Sequence, residues 1–364
     1  MTQRNGLLTQ TDAIKEILFI ELLGGLGDVV IALPAIQAIA HTYPQANVTV
    51  LTFSPGSELL HTHPLITRVI PVQKGKARPS VEQLLKAPPT QNSQPQYDLI
   101  VTDTAYEGID TLVQNSGAKA TVTDLWRSPP IDEKVSDRFL NILQQENIIS
   151  PQAAAQHRRP ILYPSPIAKR SVEQHLSQHT SPNSTPHICL LTDAGMPIKR
   201  WASQNFVELG QLLQAQYNAT LWVPISGDIQ KARAIVTQIN NARIWPSGPL
   251  DIFIAFLARM DCAIANDTGP AHIAAALNTP TLTLFGPSHQ GRYGQPPPHI
   301  NLQAYPTCPQ RRINFTQQTC WYSNQCPYPW RTCTNLITPH RALEKITTLL
   351  QPLYPLHTTT PSTK

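Results

Sequence analysis

Asn266-Asp267-Thr268-Gly269-Pro270-Ala271-His272 stands between the apolar run Asp261 to Ala265 and the small-residue run Ile273 to Leu277. An apolar run, then Asn/Asp/Thr/Gly, then Pro and Ala reads as strand, turn and helix start. Pro270 falls in the first helical turn, where its missing N–H costs nothing. The free N–H groups of such a turn and the positive end of the helix dipole both favour an anion.

Working outward, the same strand-then-helix alternation fills most of the chain. Glu16 to Leu23 (EILFIELL) is a near-continuous apolar run of strand length, as expected of a parallel strand buried on both faces. It ends in Gly24-Gly25-Leu26-Gly27-Asp28, and helical spacing follows from Val29 to Ala40, stopped by Tyr43-Pro44. Further strands are expected at Asn47 to Phe53, Arg68 to Val72, Tyr97 to Thr102 and Ala118 to Thr123, with a Pro/Gln-rich loop from Lys86 to Gln96. Between Ser150 and Pro186 the composition shifts to Pro, Ser, Gln and His, although Ile167 to His179 has room for one helix. A second series follows, with strands His187 to Thr192, Ala219 to Pro224, Cys262 to Asn266 and Pro280 to Phe285. Its helices are Ser203 to Tyr217, capped by Ser203, then Asp228 to Ile239, Leu250 to Arg259, Pro270 to Leu277 and a closing Pro339 to Leu350, before a frayed tail from Tyr354.

The reading is α/β, with two doubly wound halves. The expected divisions are an N-terminal Rossmann-like domain over 1–165, a linker region over 166–186, a C-terminal Rossmann-like domain over 187–337, and a helix and tail over 338–364. A chain of 364 residues is long enough for two cores.

Composition bounds the function. A net charge of +5 suits a phosphate-bearing ligand or an acidic membrane surface, and no Lys/Arg-rich run with interleaved aromatics suggests nucleic acid. The polar stretch Met1 to Ile14 and the lack of an apolar run of about 18 residues give neither a signal peptide nor a membrane span, so a cytoplasmic protein is expected. Cys189 and Cys262 lie in strand-like runs, where a thiol acts as a small hydrophobe. Cys308, Cys320, Cys326 and Cys333 are separated by 11, 5 and 6 residues, unlike paired C-x-x-C zinc knuckles. They read as structural thiols, with a zinc or redox site as the alternative.

The first glycine loop is no dinucleotide fingerprint, since Val30 stands where G-x-G-x-x-G needs its last glycine, and no Walker lysine follows. Asp28 at a helix start also repels phosphate. Its two readings are an ionised base for a substrate hydroxyl and a simple helix cap. Lys199-Arg200-Trp201 follows the turn Asp193-Ala194-Gly195 at a strand's carboxyl end, where ligands of open α/β sheets bind, and a solvated pair is the plainer alternative. His272 either donates to an anion or serves as a local partner. Phe285-Gly286-Pro287-Ser288 ends the next strand and is expected to line the same crevice. No Asp-x-Asp pair occurs, which argues against a metal-bridged diphosphate.

Together the two loops resemble the lipopolysaccharide heptosyltransferases of glycosyltransferase family 9, the ADP-heptose:lipopolysaccharide heptosyltransferase family. The resemblance rests on Ile17 to Pro34 (ILFIELLGGLGDVVIALP), Lys199-Arg200-Trp201 and Cys262 to Pro287 (CAIANDTGPAHIAAALNTPTLTLFGP). It covers about Ile17 to Leu350, weakly between Pro55 and Pro186. It implies a GT-B architecture, two Rossmann-like domains facing each other across a cleft, with acceptor on the N-terminal side and donor on the C-terminal side. It also implies inverting transfer from an ADP-heptose-like donor to a lipid-anchored glycan acceptor, without cofactor or metal and with possible peripheral membrane contact. On this resemblance Asp28 looks like the general base and Gly24, Gly25 and Gly27 like the acceptor-side loop. Lys199 looks like a donor-phosphate contact, and Asp267, Thr268, Gly269 and His272 like the donor pocket. Departures are Leu22, with Glu21 beside it, where many members carry a basic residue, and Ser226-Gly227-Asp228 where a donor-holding Glu is usual. Only Asp228 is placed to substitute for that Glu. The competing functions are a non-catalytic nucleotide-sugar-binding module and a GT-B-like sugar-nucleotide epimerase.

Overall fold

The computed structural model describes residues 14–86, 96–127, 133–178, 185–311, 319–330 and 332–354. Most of the Pro/Gln-rich loop and the tail beyond Tyr354 lie outside them. The chain divides into two compact units, Met1–Ser165 and Pro166–Lys364. Among the described residues no helix is long and apolar enough to cross a membrane.

The first unit is built on a parallel sheet of β1 (Glu16–Glu21), β2 (Asn47–Phe53), β3 (Arg68–Val72), β4 (Leu99–Thr102) and β5 (Ala120–Val122), in the order β3-β2-β1-β4-β5. β1 pairs with β2 through Glu16↔Asn47 to Glu21↔Thr52, and with β4 through Ile17↔Leu99 to Ile20↔Thr102. Residues 17 to 21 are all buried, which explains the unbroken apolar run with helices on both faces. The helix Leu26–Thr42 buries twelve consecutive residues, Val29 to Ala40, and packs against Val135–Gln145. Tyr43, its C-cap, donates its hydroxyl to the Ile148 carbonyl at 2.8 Å and so anchors the helix end.

The second unit repeats the plan with β6 (His187–Leu191), β7 (Thr220–Pro224), β8 (Ala242–Trp245), β9 (Cys262–Asn266), β10 (Thr281–Phe285) and β11 (Ile300–Gln303). All are parallel, in the order β11-β10-β9-β6-β7-β8. β8 and β11 were not expected from the sequence. Both are edge strands with half-buried, mixed-polarity residues, so neither shows the apolar run of an interior strand. The helix Pro166–Ser177, within the expected linker, packs on Leu250–Leu257 of this unit. The closing helix Pro339–Leu350 packs on Ser203–Tyr217 and sends Ala342, Ile346 and Leu350 into the same core.

One local expectation is corrected. The helix Ser203–Tyr217 is capped by Ala202, with no side-chain bond, and Ser203 is its first helical residue. Ala202 has the extended backbone of a cap position, so geometry sets the boundary without the serine hydroxyl.

Candidate functional site

Each sheet has one place where strand order reverses, between β1 and β4 in the first unit and between β6 and β9 in the second. Loops at the carboxyl ends of such strands diverge and leave room for a ligand. Asp28 follows β1, Lys199 follows β6, and Asp267 and His272 follow β9, the strands at these two places.

In the first unit the loop after β1 carries Asp28. Gly24 adopts φ +103°, which favours glycine, and a Cβ on Gly25 would stand 2.7 Å from Asp28 Oδ2. Two glycines therefore let the chain turn sharply enough for the Gly25 N–H to donate to Asp28 Oδ2 at 3.0 Å. The carboxylate thus caps its own helix from inside the first turn, in agreement with the cap reading of Asp28. Gly27 is itself within the first helical turn.

Two more acids gather here, and sequence reasoning did not bring them together. Glu21 and Asp103 are both 0% exposed. Asp103 donates its N–H to the Ile20 carbonyl at 3.0 Å, and its Oδ1 accepts from the Leu22 N–H at 3.1 Å, which brackets Glu21 on β1. Glu21 Oε2 accepts the Thr52 hydroxyl, and the amides of Leu23 and Gly24 face its carboxyl. Glu21 Oε1 and Asp103 Oδ2 are buried without a hydrogen-bond partner among the described residues. Burial, with Asp28 as a second influence of the same sign, pushes Glu21 up to about 8. Burial and the charge of Glu21 push Asp103 well above the usual carboxylate range. Burial therefore biases both toward the neutral form. The signal in the sequence was Glu21 itself, a lone acid in an apolar strand.

In the second unit the loop after β9 holds Asp267, 5% exposed, whose Oδ2 accepts from Lys199 Nζ at 2.8 Å and from the Ser288 hydroxyl. Burial pushes this carboxyl up, but Lys199, His272 and the two hydrogen bonds outweigh it and hold Asp267 below its usual 3.8. His272 is buried in the first turns of the helix Gly269–Ala276, and burial lowers its pKa against the pull of Asp267. Gln295 accepts the Thr283 hydroxyl at 3.0 Å with its oxygen and so turns its amide nitrogen to His272 Nδ1 at 3.4 Å. Thr268 is the N-cap of this helix with extended backbone, Gly269 is its first residue, and Pro270 lies in the opening turn as expected.

Asn266 ties the loops together. Its side chain donates to the Thr192 carbonyl at 2.9 Å and accepts from the Trp201 N–H at 2.9 Å, so the end of β9, the loop after β6 and Lys199-Arg200-Trp201 are fixed mutually. Arg200 pairs with Asp193 at 2.6 Å and donates to the Ala194 carbonyl. A pocket of about 380 Å³ opens beside it, lined by Thr192, Arg200, Ser226, Asp228 and Lys231 among others. That volume is in the range of small-ligand sites. Asp228 spends Oδ1 on the Gln230 N–H at 2.9 Å as the cap of the helix Ile229–Val236.

Two parallel α/β sheets, each with one switch point, are the fold that this chain shares with solved glycosyltransferase structures. The chain matches a glycosyltransferase family 9 (heptosyltransferase) domain over residues 154–317, the segment that carries the second unit's loops. Lipopolysaccharide heptosyltransferase 1 of Pseudomonas aeruginosa is 25% identical over 82% of this chain and 85% of its own length. A family 9 glycosyltransferase of Veillonella parvula superposes with a TM-score of 0.76 at 18% identity, covering 93% of this chain and 98% of its own. The Escherichia coli ADP-heptose lipopolysaccharide heptosyltransferase II superposes at 0.66 with 21% identity, covering 93% and 99%.

Proposed function

We propose that this glycosyltransferase moves a heptose-like sugar from an ADP-sugar to a lipid-linked oligosaccharide of the lipopolysaccharide core type, with inversion and without a metal bridging the diphosphate. The acceptor is membrane-borne, so the enzyme works at the inner face of the cytoplasmic membrane. The names of the similar proteins support the donor and acceptor class. The observation that carries the reading is the buried Lys199–Asp267 pair beside His272 at the β6/β9 switch point.

Asp267 does not meet phosphate itself; it aims Lys199. An ammonium has three donors, and one is used here, leaving two for a diphosphate at the positive end of the helix that begins at Gly269. Charge that develops on the leaving diphosphate then meets donors already in place. Asp28 takes the proton of the attacking hydroxyl, and inversion needs one such base.

The test is Asp28→Asn, assayed for transfer and, by calorimetry, for ADP binding. A fall in kcat of about 100-fold or more with ADP affinity unchanged is expected. Because Asp28 caps its own helix, a second reading is a nucleotide-sugar-binding module without transfer activity. A variant that keeps more than about a tenth of the rate removes the base role. ADP-sugar binding with no transfer by the unaltered protein to any core glycan favours the module.

A further inference from the structure

The loop after β1, Leu22 to Gly27, has the outline of an anion cradle, with three glycines leading into the N-terminus of a long helix. Four consecutive amides of that loop are nevertheless taken. The Leu22 N–H goes to Asp103 Oδ1 at 3.1 Å, the Leu23 and Gly24 amides face the Glu21 carboxyl, and the Gly25 N–H goes to Asp28 Oδ2 at 3.0 Å. Three carboxyl groups of the chain itself therefore stand where an anion would. Asp28, the acid of the first turn, also meets the positive end of the helix dipole. The corresponding loop after β9 is the reverse: no side chain caps its helix, the first turn holds no acid, and Asp267 holds Lys199 beside it.

The neighbouring loops add no positive charge. The segments following β1, β2 and β4, residues 22–28, 54–58 and 103–108, contain Asp28, Glu58, Asp103 and Glu107 and no lysine or arginine. Arg78, which reaches this end of the sheet, is held by Glu82 at 2.9 Å and by the Glu107 carbonyl. What the site does present is an aromatic ring. Tyr106 is 38% exposed, and its hydroxyl donates to the Leu22 carbonyl at 2.9 Å, which fixes it against the loop that carries Asp28. A ring anchored by its polar tip offers its apolar face at little cost in conformational freedom, and the C–H face of a pyranose is a surface that complements it.

We propose, on the transfer reading above, that the carboxyl end of β1 is a subsite for an uncharged sugar. The pyranose whose hydroxyl meets Asp28 stacks on Tyr106, and a sugar that carries a carboxylate or phosphate next to that hydroxyl is turned away. Such an anion would face the Asp28 carboxylate, with the amides of Leu22 to Gly25 already engaged and no cation on the three loops to offset the repulsion. The exclusion concerns the reacting sugar alone. Lys74 and Lys76 follow β3, a strand further out, and are free of it.

Full-length protein is titrated, by saturation-transfer difference NMR, with pairs of short methyl glycosides that differ only in the terminal residue, a hexose or the matching hexuronate. The hexose forms are expected to bind at least about tenfold more tightly. Tyr106→Ala should weaken them about tenfold with ADP affinity unchanged, whereas Tyr106→Phe, which keeps the ring and loses the bond to Leu22, should stay within about threefold. A Tyr106 that acted only through that bond would fail equally in both variants. Equal or tighter binding of the hexuronates, binding of neither form, or unchanged hexose binding by Tyr106→Ala overturns the proposal. Hexose forms that bind but receive no sugar from any ADP-sugar retire the transfer reading and leave the subsite standing, and faster transfer to the hexuronates does the opposite.

Discussion

The two units use one topology for opposite electrostatics. At the β1/β4 switch point the first unit collects Glu21, Asp28 and Asp103, and burial biases Glu21 and Asp103 toward the neutral form. At the β6/β9 switch point the second unit pairs Asp267 with Lys199 and holds the carboxylate ionised although it is equally deep. Burial is common to both; the neighbour decides the charge. The proposed transfer needs a proton acceptor and an anion site, and one sheet plan presents a candidate for each at its switch point.

The comparison breaks most readily at Lys199. Lys199→Met leaves Asp267 buried and uncompensated, and a loss of about 3–5 kcal/mol in stability is expected from denaturant melts, with weakened ADP binding where the fold survives. A change of under about 1 kcal/mol would mean that the pair behaves as a surface bridge.

The sharper test applies the same chemical change to both sites. Glu21 binds a proton in the folded chain up to about pH 8 but has an ordinary value of 4.5 when unfolded. Its contribution is complete below pH 4.5 and erodes as pH rises toward 8, at most by about 1.4 kcal/mol per pH unit. Glu21→Gln should remove that erosion and raise Tm relative to the unaltered protein above pH 8. Asp267 has the opposite sign: its depressed value gives stability above 3.8 that is lost on acidification below it. Asp267→Asn should lower Tm at neutral pH and flatten the acid limb. Melting curves across pH decide the matter, and two variants shifting in the same direction would refute the contrast.

A smaller effect is expected at Asn266. Asn266→Ala strands the Thr192 carbonyl and the Trp201 N–H in a buried setting, for about 1–3 kcal/mol, and should raise KM for donor more than it lowers kcat, because it loosens the loops that carry Lys199.

Much of this was legible in the sequence because parallel interior strands must be apolar throughout. β1, β6, β9 and β10 announce themselves, and the glycine loop and the Asn266 to His272 turn follow directly from them. The edge strands β8 and β11 were illegible for the reverse reason, as one side of each is open and its residues are mixed. The contact between β1 and β4 that sets Asp103 beside Glu21 joins positions 82 residues apart, and no local pattern encodes it. The gathering of four irregularly spaced cysteines around one cavity is likewise a product of tertiary folding.

The closing helix Pro339–Leu350 has a consequence for biosynthesis. Ala342, Ile346 and Leu350 complete the core of the second unit, and the Trp201 indole donates to the Ile337 carbonyl just before that helix, so this unit stays unfinished until that helix has left the ribosome. The first unit has no such dependence within its own core and is free to fold during translation. A nascent chain arrested short of Pro339 therefore offers the cell a finished first unit and an open second unit.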